Sequence, residues 1–337
     1  MRILIVSLGS IGKRHLANTL ELLPDCEVCI WRMTASQNAT DDRFTVVYDQ
    51  EGAIKFSPDA VIVASPASRH MEAALPFIRA NVPAFIEKPL AANVGEVSGF
   101  LGACDASSGF VMVGYVLRFQ PVFHAIKKAL VEGVIGRVLT AHAQTGQYLP
   151  DWRPDSDYRN GVSAKASLGG GVLLELSHEL DYTRWLFGQP DYVVASVNKY
   201  SDLEIDVEDS ALVIYEYERM RVTVETDFFR RAPKMSLQIV GSEGSVEADL
   251  IAETIIVKTP ESPDGVALDV PKCSTFNDVY LRQFDLFFDK TFDAYVPWYS
   301  ETRGNPTYAT PQDAVAIMQI IDSARRSNAH GTRIDLI

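Results

Sequence analysis

Between residue 1 and about residue 119, short β-branched runs alternate with helical ones, and this alternation constrains the fold more than any other feature. RILIVSL, EVCIW, AVIVAS, PAFIE and FVMVGY read as strands, and KRHLANTLELL, RHMEAALPFIRA and VGEVSGFLGAC read as helices. Strands joined by helical crossovers pair in parallel, and short, wholly apolar strands are those buried on both faces. The expectation is an α/β fold that begins with a doubly wound parallel sheet.

The rhythm changes after residue 119. FHAIKKALVEG is helical, GRVLTAHAQTGQYL is a long strand, and LPDWRPDSDYRNG is an aromatic, acidic loop. The triplet Gly169 to Gly171 then opens the helix LLELSHELDYTRWLFG. From about 191 to 258, the runs YVVASVNKY, ALVIYEYE, RVTVETDFF, MSLQIVG, GSVEAD and TIIVKT follow one another with short turns and no helical pattern between them. Such a series forms hairpins. The C-terminal part is therefore expected to be an α+β domain with a large, mostly antiparallel open sheet. A chain of 337 residues exceeds what one core supports. Two domains follow, 1–119 and 120–337. The terminal helix, about 311–328, is free to pack back toward the first domain.

Composition removes several classes of function. Thirty-one basic against 44 acidic residues give a net charge of −13, which repels a phosphate backbone, so nucleic acid is not an expected partner. No apolar run of about 18 residues exists to span a bilayer. Met1 leads straight into a strand rather than a cleavable leader, so a cytoplasmic protein with no membrane partner is expected. Cys26 and Cys29 form a C-x-x-C inside a strand-like segment with no second pair, which reads as structural. No Cys/His cluster and no H-E-x-x-H points to a metal.

SLGSIGKRH lies between the first strand and the first helix, where a Gly-rich dinucleotide turn belongs. Gly9 lets the backbone approach a pyrophosphate, Gly12 lets the helix pack on the strand, and the helix N-terminus offers unpaired N–H donors. Ser7, Gly9, Ser10, Ile11 and Gly12 are the candidate phosphate turn, with Ser7 in the place of the first glycine. The second strand ends at Arg32. An arginine there suits the 2′-phosphate of NADP better than the ribose hydroxyl of NAD, so the reading is NADP or NAD with NADP favoured.

These residues are joined by Ser65-Pro66-Ala67-Ser68-Arg69-His70 after the third strand, Glu87-Lys88-Pro89 after the fourth, Gly114-Tyr115, Arg118-Phe119, the glycine triplet and the terminal helix. Together they resemble the glucose-fructose oxidoreductase / inositol dehydrogenase / MocA family over nearly the whole chain. The resemblance implies a Rossmann domain followed by a substrate domain whose open sheet often forms a subunit interface, hence a homo-oligomer. It also implies hydride transfer between a nicotinamide and a hydroxyl or keto carbon of a sugar, polyol or sugar nucleotide. By this resemblance Lys88 lies beside the nicotinamide and the reacting hydroxyl, Ser65 and Pro66 lie under the cofactor, and His70 and Glu87 belong to the same site. Tyr115 and Arg118 would reach the substrate.

Hydride transfer needs a group that carries the hydroxyl proton, and Lys88 and His178 are the candidates. Glu175, His178, Glu179 and Tyr182 fall within an arc of about 100° on the helix after the triplet, opposite Leu173, Leu176, Leu180 and Phe187. That polar arc is expected to face a cleft. In the family an acid precedes the histidine by four positions; here Glu175 precedes His178 by three and Glu179 follows it, so the choice between Lys88 and His178 stays open. Trp152 offers a face for a sugar ring, and Arg153, Tyr158 and Arg159 offer contacts to hydroxyls or an anion. His15, at a solvent-prone place in the first helix, and His124, His142 and His330 read as structural. Two other functions fit the same motifs: a redox-neutral epimerase or glycosidase with recycled NAD, and a non-catalytic cofactor-binding regulatory module. A role in surface-glycan precursor metabolism rests on analogy alone.

Overall fold

The structure, a computed structural model, describes residues 1–32, 44–292 and 307–336. The chain divides into two units, Met1–Val116 with Thr275–Val315, and Leu117–Ser274 with Ala316–Ile337. The division is not a single cut, because 275–315 groups with the first unit.

The first unit contains β1 (Arg2–Val6), α1 (Ser10–Leu22), β2 (Glu27–Trp31), β3 (Thr45–Val47), α2 (Gln50–Lys55), β4 (Ala60–Val63), α3 (His70–Arg79), β5 (Ala84–Ile86), α4 (Phe100–Ala106) and β6 (Val111–Val113). Its six strands lie in the order β3-β2-β1-β4-β5-β6, and all described pairings are parallel. This is the doubly wound order in which β1 and β4 lie side by side although their connections run to opposite sides of the sheet. Ile3, Leu4, Ile5 and Val6 of β1, like Ala60 to Val63 of β4, have no exposed surface. Each large aliphatic side chain so buried contributes about 1.5–3 kcal/mol, which is why these strands read as unbroken apolar runs. Ligands of such sheets sit beyond the carboxyl ends of the strands where the order reverses, here between β1 and β4.

The second unit contains α5 (Pro121–Val131), β7 (Val138–Gly146), α6 (Val172–Glu175), α7 (Ser177–Phe187), β8 (Tyr192–Asn198), β9 (Ser210–Tyr217), β10 (Met220–Asp227), β11 (Lys234–Gly241), β12 (Ser245–Asp249), β13 (Thr254–Thr259) and β14 (Ser262–Ala267). The chain continues through α8 (Asn277–Phe292), which belongs to the first unit, and ends with α9 (Pro311–His330) and β15 (Ile334–Asp335). A nine-stranded sheet runs β14-β13-β12-β11-β7-β10-β9-β8-β15. It is antiparallel except where β10 pairs parallel to β7.

Register explains its single core face. Val222 lies opposite Ala141 and Tyr215, Val224 opposite Ala143 and Val213, Leu237 opposite Ala143 and Ala248, and Ile239 opposite Ala141 and Val246. All are buried, while the alternate positions Thr140, His142, Thr223, Glu225, Gln238 and Glu247 point to the other face, as the period of two requires. The core face packs against α6 and α7; the Tyr215 hydroxyl donates to the Leu180 carbonyl at 3.2 Å.

Candidate active site

The turn after β1 solves a backbone problem with an unexpected residue. Ser7 has φ 75°, a left-handed conformation that glycine adopts without strain and serine does not. The turn therefore keeps its shape although its first glycine is missing. Gly12 cannot be replaced so easily, because a Cβ there would lie 2.3 Å from the Ser7 carbonyl oxygen. At Gly9 a Cβ would meet no atom of the described residues within 4 Å. Gly9 caps α1 with no side-chain hydrogen bond, and the first turn of the helix holds no acid. An open approach at a bare helix N-terminus is what a pyrophosphate needs.

Arg32 follows β2 on the neighbouring strand end. Its N–H donates to the Val47 carbonyl at 2.9 Å, and its buried Nη1 has no hydrogen-bond partner among the described residues. A guanidinium nitrogen left unpaired at this place fits the residues to an adenosine ribose and its 2′ substituent.

The next two strand ends are β4 and β5. Ser65 and Pro66 follow β4, and Glu87, Lys88 and Pro89 follow β5. His70 does not reach outward to a ligand: it is buried, with Nδ1 2.9 Å from the Pro89 carbonyl oxygen and Nε2 2.7 Å from that of Ser65. Its ring lies between the two turns, and in its neutral form it donates to one of these carbonyls while its other nitrogen faces the second. Burial pushes its pKa below the ordinary histidine value, against the pull of the Ser65 carbonyl, Glu87 and the Pro89 carbonyl.

Glu87 is likewise engaged inward. One carboxylate oxygen sits 2.6 Å from His15 Nε2, and the other accepts the Lys88 backbone N–H at 3.0 Å. The direct cofactor contact expected of Glu87 and His70 does not fit side chains committed in this way. His15 is also corrected: it is fully buried, not solvent-prone, because its face of α1 packs under α8. Lys88 itself is half-buried.

In the second unit the expected single helix is broken at Leu176, which has φ −98° and ψ 30°. The break resets the helical phase, so the predicted polar arc does not form as one face. Glu175 on α6 and His178 on α7 are half-buried. Glu179 is buried and Tyr182 fully so, its ring 4.4 Å from that of Phe123. Burial, with the Glu179 carboxylate adding to it, holds the Tyr182 phenol well above the ordinary tyrosine value. Tyr182 belongs to the core of this unit rather than to a ligand face.

The glycine triplet serves the same local packing. Gly169 and Gly171 have φ 83° and 107°, and a Cβ at Gly170 would lie 2.3 Å from the Val162 carbonyl oxygen. Arg118 is fully buried; its Nε and Nη2 donate to the two Asp181 carboxylate oxygens at 2.8 and 2.6 Å. A bidentate pair this enclosed is structural, which removes Arg118 from the substrate contacts. Tyr115 is also without exposed surface.

The loop before the triplet keeps some of its promise. Trp152 is half-buried edge-on to Phe228, with ring centroids 5.3 Å apart, and its buried Nε1 has no hydrogen-bond partner among the described residues. Arg153 is exposed. The Tyr158 hydroxyl accepts the Glu204 N–H at 3.2 Å. Arg159 is held by Asp157 at 2.8 Å and Glu204 at 2.9 Å, so it grips protein carboxylates instead of a ligand.

Sequence reasoning missed α8. Its buried residues Val279, Gln283, Phe284, Phe287 and Phe288 recur at helical spacing, a signal that was present in FNDVYLRQFDLFF. Phe284 stands 4.7 Å and Tyr280 6.0 Å from the His15 ring by centroid. Burial raises the Tyr280 phenol to about 12.

A parallel sheet in this order, with a glycine turn at the end of β1, defines a dinucleotide-binding unit. Residues 1–115 match the oxidoreductase family with the NAD-binding Rossmann fold, and residues 123–247 match the GFO/IDH/MocA C-terminal domain. The chain belongs to the GFO/IDH/MocA family of oxidoreductases. A myo-inositol 2-dehydrogenase of Thermotoga maritima is 27% identical over 308 residues, 85% of this chain and 87% of that protein. An inositol 2-dehydrogenase of Acidiphilium cryptum is 27% identical over 85% of this chain and 83% of its own length. Among solved structures, a levoglucosan dehydrogenase in complex with NADH and levoglucosan has a TM-score of 0.81 over 99% of each chain at 19% identity, a likeness of fold.

Proposed function

We propose that this protein is an NAD(P)-dependent dehydrogenase that moves a hydride between the nicotinamide and a carbinol or keto carbon of a cyclic polyol or sugar. The observation that carries the reading is the sequence of strand ends in the first unit. The glycine turn, the Ser65-Pro66 turn and the Glu87-Lys88-Pro89 turn follow β1, β4 and β5, which are consecutive in the sheet. Phosphates bound at the first turn place a lysine two strands away along the same edge. The substrate class is supported by the inositol 2-dehydrogenases and the levoglucosan dehydrogenase that the chain resembles.

The nicotinamide, when bound, supplies the hydride acceptor or donor. Ser10, Ile11 and Gly12 at the start of α1 would hold the phosphates, and Arg32 would meet the 2′-phosphate, which favours NADP. In the direction of oxidation the hydroxyl proton must leave as the C–H hydride does, and Lys88 Nζ, as the neutral amine, would take it through its lone pair and become the ammonium. His178, half-buried at the start of α7, is the alternative to Lys88 as proton carrier, with Glu175, Trp152 and Arg153 as candidate substrate contacts.

The test is absorbance at the nicotinamide band with NAD+ and NADP+ against a panel of inositols, anhydrosugars and hexoses. Lys88→Ala should lose at least about a hundredfold in turnover while its nucleotide affinity stays within about tenfold. Full activity in that variant would take Lys88 out of the chemistry. Arg32→Asp should reverse a preference for NADPH over NADH, and an unchanged ratio would show that Arg32 does not meet the ribose.

A further inference from the structure

We propose that His15 and His70 are positioning residues for Lys88, two buried histidines that clamp the Glu87-Lys88-Pro89 turn from either side. The proposal deepens the reading of Lys88 as a proton carrier and rests on that reading for its functional meaning.

Lysine carries its amine on a flexible four-carbon stem, so where the amine points depends on how firmly the backbone beneath it is held. Here the ladder of β5 ends at Glu87, whose N–H donates to the Val63 carbonyl at 2.9 Å. Beyond that residue, side chains hold the turn. On one side the Lys88 N–H reaches Glu87 Oε2 at 3.0 Å, and Glu87 Oε1 meets His15 Nε2 at 2.6 Å. On the other, the Pro89 carbonyl meets His70 Nδ1 at 2.9 Å, and the opposite nitrogen of the same ring meets the Ser65 carbonyl at 2.7 Å. The turn that carries the lysine is thereby tied both to α1 and to the turn after β4.

The surroundings fix the clamp in one arrangement. His15 is enclosed by Phe85, Phe284 and Tyr280, with ring centroids 5.4, 4.7 and 6.0 Å away. Its Nδ1 is buried with no hydrogen-bond partner among the described residues. That nitrogen is the one that can best go without a proton, which assigns the Nε2–H tautomer and makes His15 the donor to Glu87. Gly114 leaves room for the carboxylate, since a Cβ there would lie 3.2 Å from Glu87 Oε1. Three bonds of the clamp end on backbone atoms, the Lys88 N–H and the Pro89 and Ser65 carbonyls, and the fourth joins His15 to the carboxylate of Glu87, the residue before Lys88. A histidine that served only general packing would have no reason to make those contacts.

The test follows the amine directly and needs no substrate. The full-length protein is acetylated with a water-soluble N-hydroxysuccinimide ester, and the rate at Lys88 is compared with the rates at all other lysines by peptide mass spectrometry. His15→Leu and His70→Leu should each raise the Lys88 rate by at least about threefold, a change in the range of one lost hydrogen bond, while the other lysines keep wild-type rates. His15→Gln, which returns an N–H donor near the Nε2 position, should restore the Lys88 rate. An unchanged Lys88 rate in the leucine variants, or a general rise at every lysine, overturns the proposal. If the leucine variants do not fold, His15→Gln against Glu87→Gln decides: wild-type behaviour in the first with acceleration in the second supports the clamp, and equal rates refute it. Because acetylation does not require turnover, a Lys88→Ala enzyme with full activity would refute the chemical role of Lys88 and leave this result standing.

Discussion

Gly9 and Gly12 occupy the same turn and answer to different constraints. A methyl group at Gly9 meets no atom of the described residues within 4 Å, whereas at Gly12 it would lie 2.3 Å from a carbonyl oxygen. Gly9→Ala should therefore leave the melting temperature unchanged and weaken NADH binding by about tenfold or more, because only a ligand fills that space. Gly12→Ala should cost about 2 kcal/mol of stability, since the helix must move off the turn. Thermal unfolding and nucleotide fluorescence check both, and wild-type affinity in Gly9→Ala would remove the pyrophosphate from this turn. The glycine positions were legible because their constraint is local. Ser7 was read as a departure from the motif, yet its φ of 75° shows that the backbone shape survives the substitution. His15 and Glu87 were not legible as a pair, since 72 positions separate them and no periodicity reports a contact across the sheet. Nor could the inward commitment of His70 be read, because both groups that its ring faces are backbone carbonyls, which carry no residue signature.

The helix after the glycine triplet shows what an element-level pattern can and cannot tell. Its composition and its opening glycines were readable, but the break at Leu176 shifts the phase between α6 and α7, and counting 100° per residue across it assigns Glu179 and Tyr182 to the wrong face. Asp181 on α7 then becomes the decisive residue, holding Arg118 in a fully buried bidentate pair. Removing one partner strands the other charge without water, which costs about 3–5 kcal/mol, whereas replacing both with apolar residues of similar volume is close to neutral. Arg118→Met and Asp181→Leu should each lower the urea midpoint strongly, and the double variant should recover most of the loss. A double variant as unstable as the sum of the singles would show that the pair does more than satisfy itself.

The whole molecule carries several buried or half-buried acids that are weak in the native state. Burial raises Cys29 to about 11 and Cys104 to about 12, Tyr280 reaches about 12, and Tyr182 and Tyr215 lie well above the tyrosine value. Each group holds its proton more tightly folded than unfolded, so the unfolded chain loses protons first as pH rises. Stability from these groups is complete below about pH 8, where the unfolded cysteines still hold their protons, and falls progressively toward pH 12. The urea midpoint should decline steadily between pH 9 and 11, and a flat profile would mean that these side chains are solvated in solution. At this scale the two sheets and their topology class were readable from the change of period near residue 119. The return of 275–315 to the first unit was not, because α8 earns its place through contacts with α1 rather than through its position in the chain. The measurement that tests the account most directly is titration of the purified protein with NADPH and NADH, followed by nucleotide fluorescence. The account predicts saturable binding of both with NADPH the tighter, and no binding of either would contradict it.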